Sequence, residues 1–239
     1  MEIRLITIPN LLTLSNLLCG ALGAVMALAY GDLTAAFCLM VAAAVFDFLD
    51  GFVARLLGQS SPIGLQLDSL ADDVTFGFTP AAILFALYGR TGGALWMGDA
   101  AWPAFLVFFF TACAALRLAK FNIDDTQRTE FCGLPSPAAA LFCASLGLVA
   151  ERYCVPVPRE GVLAAALVAG LLMLAPVRMF ALKFHGFGWR GNELRYLFLL
   201  LSAVLIGVLR LYAIPAIVGA YVLVSTVRWL RRRPRNEAR

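Results

Sequence analysis

Residues 33–72 read LTAAFCLMVAAAVFDFLDGFVARLLGQSSPIGLQLDSLAD. The part of this stretch before residue 57 is mostly apolar and long enough to cross the hydrocarbon core of a bilayer, which takes about 20 residues of α-helix. Carboxylates inside a membrane are costly unless they are paired or bound to a cation, so they indicate a functional site. The stretch therefore predicts a membrane helix that carries a site at one end.

The rest of the chain has the same apolar character. Of its 239 residues, 62% are hydrophobic and 14% are charged, against about 25% charged in an ordinary soluble domain. We expect an all-α integral membrane protein embedded in the lipid bilayer. Apolar runs between breakers predict eight transmembrane helices, over residues 9–30, 33–56, 66–89, 100–121, 134–151, 161–180, 194–209 and 212–230.

The basic residues predict the orientation of these helices. If both termini lie on one side, that side holds all of the 19 Lys and Arg residues except Arg90, Arg152, Arg159 and Arg210. Cytoplasmic connections carry such an excess, so both termini and this side of the bundle are expected to face the cytoplasm, in the inner membrane. Because the basic residues flank apolar runs rather than line a solvated face, no nucleic-acid partner is expected.

The acidic residues cluster on that cytoplasmic side. At about 100° per residue, Asp47 and Asp50 share a helix face, and Asp68 and Asp72 share a face of the next helix. A short connection makes the two helices antiparallel, so the four carboxylates can converge. Asp73 is rotated about 100° beyond Asp72 and is expected to point away.

The cluster has the chemistry of a cation and phosphate site. Four carboxylates without His or Cys suit Mg²⁺ or Mn²⁺ better than zinc. Arg55 follows the first pair, and Ser61 with Pro62 resembles a helix N-cap followed by proline. A helix N-terminus, an arginine and metal ions together indicate a phosphate or diphosphate ligand.

These residues match a known signature without a gap. Asp47, Asp50, Gly51, Ala54, Arg55, Gly64, Asp68 and Asp72 resemble the D-x-x-D-G-x-x-A-R…G-x-x-x-D-x-x-x-D pattern of the CDP-alcohol phosphotransferases. Four segments resemble its phosphatidylserine synthase branch, namely Ile8–Thr13, Leu67–Asp72, Arg117–Asn122 and Gly133–Ala139. Asp73 and Lys120 depart from that branch, which usually has an apolar residue and Arg there.

The resemblance implies a fold and a set of ligands. It implies a six-helix catalytic core, here residues 1–185, usually in a homodimer, so residues 186–239 would be an additional transmembrane hairpin with a basic tail. It implies two divalent cations, Mg²⁺ or Mn²⁺, held by Asp47, Asp50, Asp68 and Asp72, with Asp72 also acting as base. CDP-diacylglycerol would be held by residues near these ligands: Asn10, Thr13, Gly51, Ala54, Arg55, Ser61 and Gly64.

The branch further implies L-serine as the acceptor. The serine hydroxyl would attack the phosphorus that carries diacylglycerol, releasing CMP by direct in-line displacement. The serine carboxylate needs a cation, and the candidates at cytoplasmic helix ends are Arg117, Lys120 and Lys183, with Asn122 beside them. Each cation could equally be a positive-inside anchor that binds lipid phosphate.

Two other functions stay open at this point. The same chemistry could use glycerol 3-phosphate or an inositol phosphate, which would need a further basic pocket. A cation transporter could also use buried aspartates. Against transport, the acids lie toward one membrane face and have no counterpart in the second half of the chain.

Overall fold

The computed structural model describes residues 5–59, 61–90, 101–124, 130–180, 188 and 192–236. Helix α1 (Ile8–Val25) continues through a π-helical turn, Met26–Tyr30, and α2 spans Leu33–Leu57. Helix α3 (Pro62–Asp72) continues through a second π-helical turn, Asp73–Phe78, into α4 (Thr79–Arg90). The later helices are α5 (Phe109–Ile123, after a 3₁₀ turn Trp102–Phe108), α6 (Ser136–Tyr153), α7 (Arg159–Leu174), α8 (Glu193–Leu209) and α9 (Ala213–Asn236).

This architecture is that of an all-α, multi-pass membrane protein, as predicted. A helix overlaps each of the eight predicted spans. Among the described residues, five helical stretches are long and apolar enough to cross a membrane, namely Ile8–Tyr30, Leu33–Leu57, Pro62–Arg90, Trp102–Ile123 and Glu193–Arg231. The count of eight crossings itself stays a prediction.

The predicted helix over residues 161–180 is wrong at its C-terminal end. Helix α7 stops at Leu174, and Arg178–Phe180 form a strand, β2, that pairs antiparallel with β1, Glu130–Cys132. Pro176 cannot donate a helical hydrogen bond, so the helix ends before it, and the segment that follows pairs as a strand although it is apolar except for Arg178. The two short strands join the α5–α6 connection to the segment after α7.

Local capping explains where the first helices start and stop. The side chain of Thr7 caps α1, that of Asp32 caps α2 through the Ala35 amide at 2.7 Å, and that of Ser61 caps α3 through the Gly64 amide at 3.1 Å. The predicted N-cap at Ser61 is thereby confirmed. Gly58 ends α2 with φ +62°, which a residue without a side chain adopts without strain, and turns the chain into α3.

Small residues let the helices approach closely. A Cβ at Gly20 would meet Thr75, and one at Gly23 would lie 3.1 Å from the Ala36 carbonyl oxygen. Lipid tails are as apolar as leucine, so membrane helices associate through such close packing rather than through burial of large side chains. The outward faces carry exposed apolar side chains instead, such as Leu18 and Leu200.

Helices α8 and α9 form a hairpin, while the division into a core over residues 1–185 and an additional transmembrane hairpin over 186–239 stays a prediction. The chain reverses at Arg210, where φ is +52° and ψ −121°. Phe198 of α8 and Tyr221 of α9 have ring centroids 6.0 Å apart, so the two helices pack side by side. Helix α9 also packs against α6 and β2.

A network of hydrogen bonds and one ion pair connects the helix ends on the side of the bundle where α1 is followed by α2. The carboxylate of Glu151 accepts hydrogen bonds from the Thr34 amide and hydroxyl, each at 2.6 Å, and from the Leu33 amide at 3.3 Å. Arg90 donates to the same carboxylate at 2.9 Å and to the Gly31 carbonyl. One side chain of α6 thus caps α2 and holds the end of α4.

We expect Glu151→Ala to lower the stability of the fold without touching the aspartates. Removing a charged acceptor leaves helix amides unpaired, which costs about 1.5–3 kcal/mol. The measurement is the thermal midpoint in detergent, with the exposed neighbour Arg152→Ala as a matched control. A midpoint lowered equally by both substitutions would contradict the capping role of Glu151.

Candidate functional site

Two helices present the four aspartates to one another. Asp47 and Asp50 lie on the last turns of α2, and Asp68 and Asp72 lie on α3, which follows after the short turn at Gly58. Three carboxylate oxygens, one each from Asp47, Asp50 and Asp68, lie within 4.8 Å of one another. The carboxylate of Asp72 is within hydrogen-bonding reach of Asp47. The structure therefore brings all four predicted residues together.

The cluster fits hard divalent cations. Asp50 is buried, and its Oδ2 atom has no hydrogen-bond partner in the described part of the chain. Within the same residues, no Lys or Arg forms an ion pair with any of the four carboxylates. Carboxylates at this spacing would repel one another strongly unless a cation or protons neutralised them. Oxygen-only ligands are those that Mg²⁺ and Mn²⁺ bind.

The fifth aspartate points away from the cluster, as expected. Asp73 begins the π-helical turn, and its Oδ1 atom would lie 2.7 Å from a Cβ at Gly77. That atom is buried and lacks a hydrogen-bond partner in the described residues. Asp73, like Asp72, is not one of the three residues whose oxygens converge, but its Oδ1 atom faces Gly77, whereas Asp72 is within reach of Asp47. It is therefore a natural control for the other acids.

A cavity of about 180 Å³ opens beside the aspartates. It is enclosed by the N-terminal turns of α1 and α3 and by the last turns of α2. Gly64 keeps it open, because a Cβ there would lie 3.1 Å from Ser61 Oγ and 3.3 Å from Asn10 Oδ1. The lining residues are Pro9, Asn10, Thr13, Asp50, Gly51, Ala54, Gln59, Ser61, Gly64, Leu65 and Asp68.

The cavity collects all but one of the residues predicted to hold CDP-diacylglycerol. Arg55 is the exception, since it is exposed and does not line the cavity. Its Nη1 atom would lie 3.8 Å from a Cβ at Gly51, so the guanidinium reaches toward a lining residue. Asp50 and Asp68 belong both to the cavity lining and to the carboxylate cluster. The cavity and the cluster are therefore contiguous.

The residues predicted to bind serine differ in burial and in their hydrogen-bond partners. Arg117 of α5 is only 7% exposed, donates from Nη1 to Ser136 Oγ at 2.8 Å, and interacts electrostatically with Asp72. Asn122 is exposed and donates to Ser69 Oγ on α3 at 2.7 Å. Lys120 lies with its Nζ 3.8 Å from Cys132 Sγ, toward β1. Lys183 lies outside the described residues.

The structure adds polar residues that the sequence reasoning did not single out. Asn16 is fully buried in α1, donates to Asp72 Oδ1 at 3.3 Å and accepts from the Thr75 hydroxyl at 2.7 Å. Asn10, Thr13 and Asn16 recur every three residues in an otherwise apolar helix, and all three are buried. That spacing is the signal that could have placed Asn16 on the site face. Ser136 had no such signal.

Known proteins resemble this chain along most of its length. Residues 6–182 match the sequence profile of the family described as CDP-alcohol phosphatidyltransferase. A Helicobacter pylori protein named CDP-diacylglycerol–serine O-phosphatidyltransferase is 32% identical over 229 residues, which are 93% of this chain and 90% of that protein. Proteins of the same name from Methanocaldococcus jannaschii and Bacillus subtilis are each 33% identical, covering 73% and 56% of this chain and 74% and 71% of their own lengths.

Proposed function

This chain belongs to the CDP-alcohol phosphatidyltransferase family, and from that premise we propose that it transfers the phosphatidyl group of CDP-diacylglycerol to the hydroxyl of L-serine. The products are phosphatidylserine and CMP. Family membership makes the chain a membrane transferase of phospholipid synthesis. Serine as the acceptor is supported by the names of the relatives, one of which is similar over 93% of this chain.

The observation that carries the proposal is the contiguity of the cavity with the acids. Asp50 and Asp68 contribute to both, so a diphosphate seated in the cavity would meet carboxylate-bound cations. Asp47, Asp50, Asp68 and Asp72 would hold two Mg²⁺ or Mn²⁺ ions, which supply charge neutralisation to the diphosphate and to the attacking oxygen. Arg55, at the rim beside Gly51, is suited to a diphosphate oxygen.

The cavity residues would hold the nucleotide end of the substrate. Asn10, Thr13 and Ser61 provide polar side chains, while Gly51, Ala54 and Gly64 leave room for a bulky ligand close to the backbone. The Ser61 hydroxyl already caps α3, so the N-terminus of that helix faces the same space. A helix N-terminus favours anions because its first amides are unpaired and its dipole is positive there. The diacylglycerol tails would extend into lipid.

Asp72 would take the proton from serine. The new bond joins the serine oxygen to phosphorus, the bond from phosphorus to the CMP oxygen breaks, and CMP leaves with the electron pair. Asn16 holds one oxygen of Asp72 at 3.3 Å and is itself fixed by Thr75 at 2.7 Å, so the carboxylate is oriented by α1 and by its own helix. The role fits a base positioned at the edge of a cation site.

Arg117 would bind the carboxylate of serine. A lipid anchor needs its charged group at the membrane surface, whereas this guanidinium is 7% exposed and bonded to Ser136. The guanidinium is near enough to Asp72 for the two charges to influence one another, although they form no ion pair. Asn122 and Lys120 are exposed and sit nearer the rim. We propose no role for Lys183 beyond the one that the resemblance implies.

The competing functions find less support. Glycerol 3-phosphate or an inositol phosphate carries a dianionic group, and the described residues beside Asp72 offer one buried guanidinium for it. A transporter needs polar groups along its path. At the opposite end of the bundle, however, the described carboxylate of Glu151 is committed to Arg90 and to the amides of α2. Phosphatidyl transfer to serine therefore remains the best-supported function.

Location and assembly complete the proposal. The aspartates, the cavity and the last turn of α9 lie at one end of the bundle, because α9 begins beside Tyr153 at the opposite end, and its last described residues are rich in arginine. We propose that this end faces the cytoplasm and that the protein resides in the inner membrane, by the positive-inside bias. A homodimer, which the family resemblance implies, is the proposed assembly.

We expect Arg117→Ala to raise the KM for serine about 10- to 150-fold, because a lost hydrogen bond to a charged group costs roughly 1.5–3 kcal/mol. The KM for CDP-diacylglycerol should change little, since the cavity lies on α1, α2 and α3. Arg117→Lys should restore serine binding only in part, because an ammonium cannot form the two-pronged contact of a guanidinium. Steady-state kinetics decides this, and an unchanged serine KM in folded Arg117→Ala protein would return Arg117 to a structural role.

A panel of acceptors tests the proposed function as a whole. Purified protein receives CDP-diacylglycerol with Mn²⁺ or Mg²⁺ and, in parallel, labelled serine, glycerol 3-phosphate or inositol phosphate, and CMP release is measured. The proposal expects release with serine and little with the phosphorylated acceptors. Release with glycerol 3-phosphate alone would keep the chemistry and replace the acceptor.

A further inference from the structure

The C-terminal hairpin reaches the residue that we assign to the acceptor. Helices α8 and α9 lie beyond residue 182, where the match to the family profile ends. Tyr221 of α9 nevertheless lies near Arg117, which in turn lies near Asp72. The hairpin is therefore close to the site rather than separated from it by the helices that precede it.

Tyr221 is held in a fixed position. It is 8% exposed, its hydroxyl donates to the Phe180 carbonyl at 2.9 Å, and the Ser225 side chain lies beside it without a hydrogen bond. Its ring packs against Phe180 and Phe198 at centroid distances of 4.9 and 6.0 Å. Ser225, one turn further along α9, is fully buried. Such a set of contacts leaves the phenol oxygen little freedom.

The same contact fixes the segment that carries the partner of Arg117. Phe180 ends β2, which pairs with β1, and the Gly133 amide after β1 donates to the Val177 carbonyl at 2.9 Å. Ser136, the hydrogen-bond partner of Arg117, begins α6 shortly afterwards. Tyr221 is thus linked to Arg117 through the strand pair that leads to Ser136.

Arg117 itself is built to receive a further ligand. Its Nη1 is bonded to Ser136, whereas its buried Nε has no hydrogen-bond partner in the described residues. A buried guanidinium donor without an acceptor is costly, and a carboxylate would satisfy it. The position of such a fork determines how well it matches a planar carboxylate, so its supports matter for affinity.

We propose that Tyr221 is a positioning residue for the acceptor, so that the C-terminal hairpin completes the serine pocket by orienting Arg117. This inference rests on the proposed function and on the assignment of Arg117. It makes α9 a determinant of acceptor choice, although the helix lies outside the part of the chain that matches the family profile. It also predicts that the effect is confined to acceptors with a carboxylate.

The test distinguishes a positioning role of Tyr221 from a purely structural one by removing only its hydroxyl oxygen. Tyr221→Phe keeps the ring packing and removes the hydroxyl, and Ser225→Ala removes its neighbour. We expect Tyr221→Phe to raise the serine KM about three- to tenfold, the loss of an ordinary hydrogen bond, with kcat and the KM for CDP-diacylglycerol unchanged. Ser225→Ala should act in the same direction with a smaller effect. Tyr212→Phe is the matched control, since Tyr212 is stacked on Tyr153 at the far end of the hairpin.

A second acceptor makes the result specific. Serinol carries the ammonium and hydroxyl groups of serine but no carboxylate, and its affinity, measured as an acceptor or as a competitive inhibitor, should be the same in wild type and Tyr221→Phe. An unchanged serine KM in folded Tyr221→Phe and Ser225→Ala proteins would overturn the proposal. So would an equal loss for serine and serinol. Wild-type protein that releases no CMP with serine would instead refute the proposed function.

Discussion

Asp68→Asn is expected to reduce turnover by more than about a thousandfold, a loss larger than the 10²–10³ that follows removal of a single charge-stabilising donor. Asp68 belongs to the carboxylate cluster and also lines the cavity. The substitution therefore removes a proposed cation ligand at the point where the diphosphate would lie. The amide is nearly the same size, so the fold should persist. Initial rates of CMP release with saturating serine and CDP-diacylglycerol measure the effect.

The control for this substitution is the neighbouring acid of the same helix. Asp73→Asn makes the same change from carboxylate to amide, but in a side chain that faces Gly77 instead of the cluster. It should keep most of the activity. Comparable losses in Asp68→Asn and Asp73→Asn would mean that general effects of charge, rather than ligation, explain the result. Near-normal turnover by Asp68→Asn would remove it from the ligand set.

Asp72→Asn is expected to lower kcat about 10²- to 10⁴-fold, the usual contribution of a positioned base, while the affinity for CDP-diacylglycerol changes much less. The reason is its place in the structure. Asp72 does not line the cavity, and it is oriented by Asn16 and lies near Arg117, where the acceptor is expected. Asparagine keeps the shape and one acceptor oxygen but cannot take a proton.

Binding and turnover must be measured separately for this variant. The affinity comes from equilibrium binding of the liponucleotide in detergent, and kcat comes from CMP release at saturation. A collapse of CDP-diacylglycerol affinity with a preserved saturated rate would contradict the assignment as base and leave Asp72 as a ligand only. Asn16→Ala should shift kcat in the same direction but less, because it disturbs the orientation of Asp72 and not its charge.

The helical architecture was accessible from the sequence for physical reasons. In lipid the backbone must satisfy its own hydrogen bonds, so an apolar run of sufficient length becomes a helix. Residues 161–180 show the limit of this rule, since the segment after Pro176, which is apolar except for Arg178, forms a strand. Pairing of β2 with β1 depends on a segment far away in the sequence, which hydropathy cannot register.

The candidate site was predictable where its residues lie on consecutive helices. The two pairs of aspartates follow from helical periodicity and one short turn. The residues that line the cavity belong to α1, α2 and α3 and to the connection between α2 and α3. Asn16, Ser136 and Tyr221 reach the site from α1, α6 and α9, and only the packing of those helices reveals their partners. The resemblance implied that the hairpin is an addition to the core, and this stays a prediction; the packing of α9 against β2 could not be predicted from the sequence.

The most direct test of the account is a balance of products with and without divalent cation. Purified wild-type protein is incubated with CDP-diacylglycerol and labelled L-serine, first in excess EDTA and then after Mn²⁺ or Mg²⁺ is restored, and CMP and labelled phosphatidylserine are quantified. The account predicts no product in EDTA and equal amounts of CMP and phosphatidylserine once the cation returns. Near-normal product formation in EDTA, or CMP release without labelled phosphatidylserine, would contradict it.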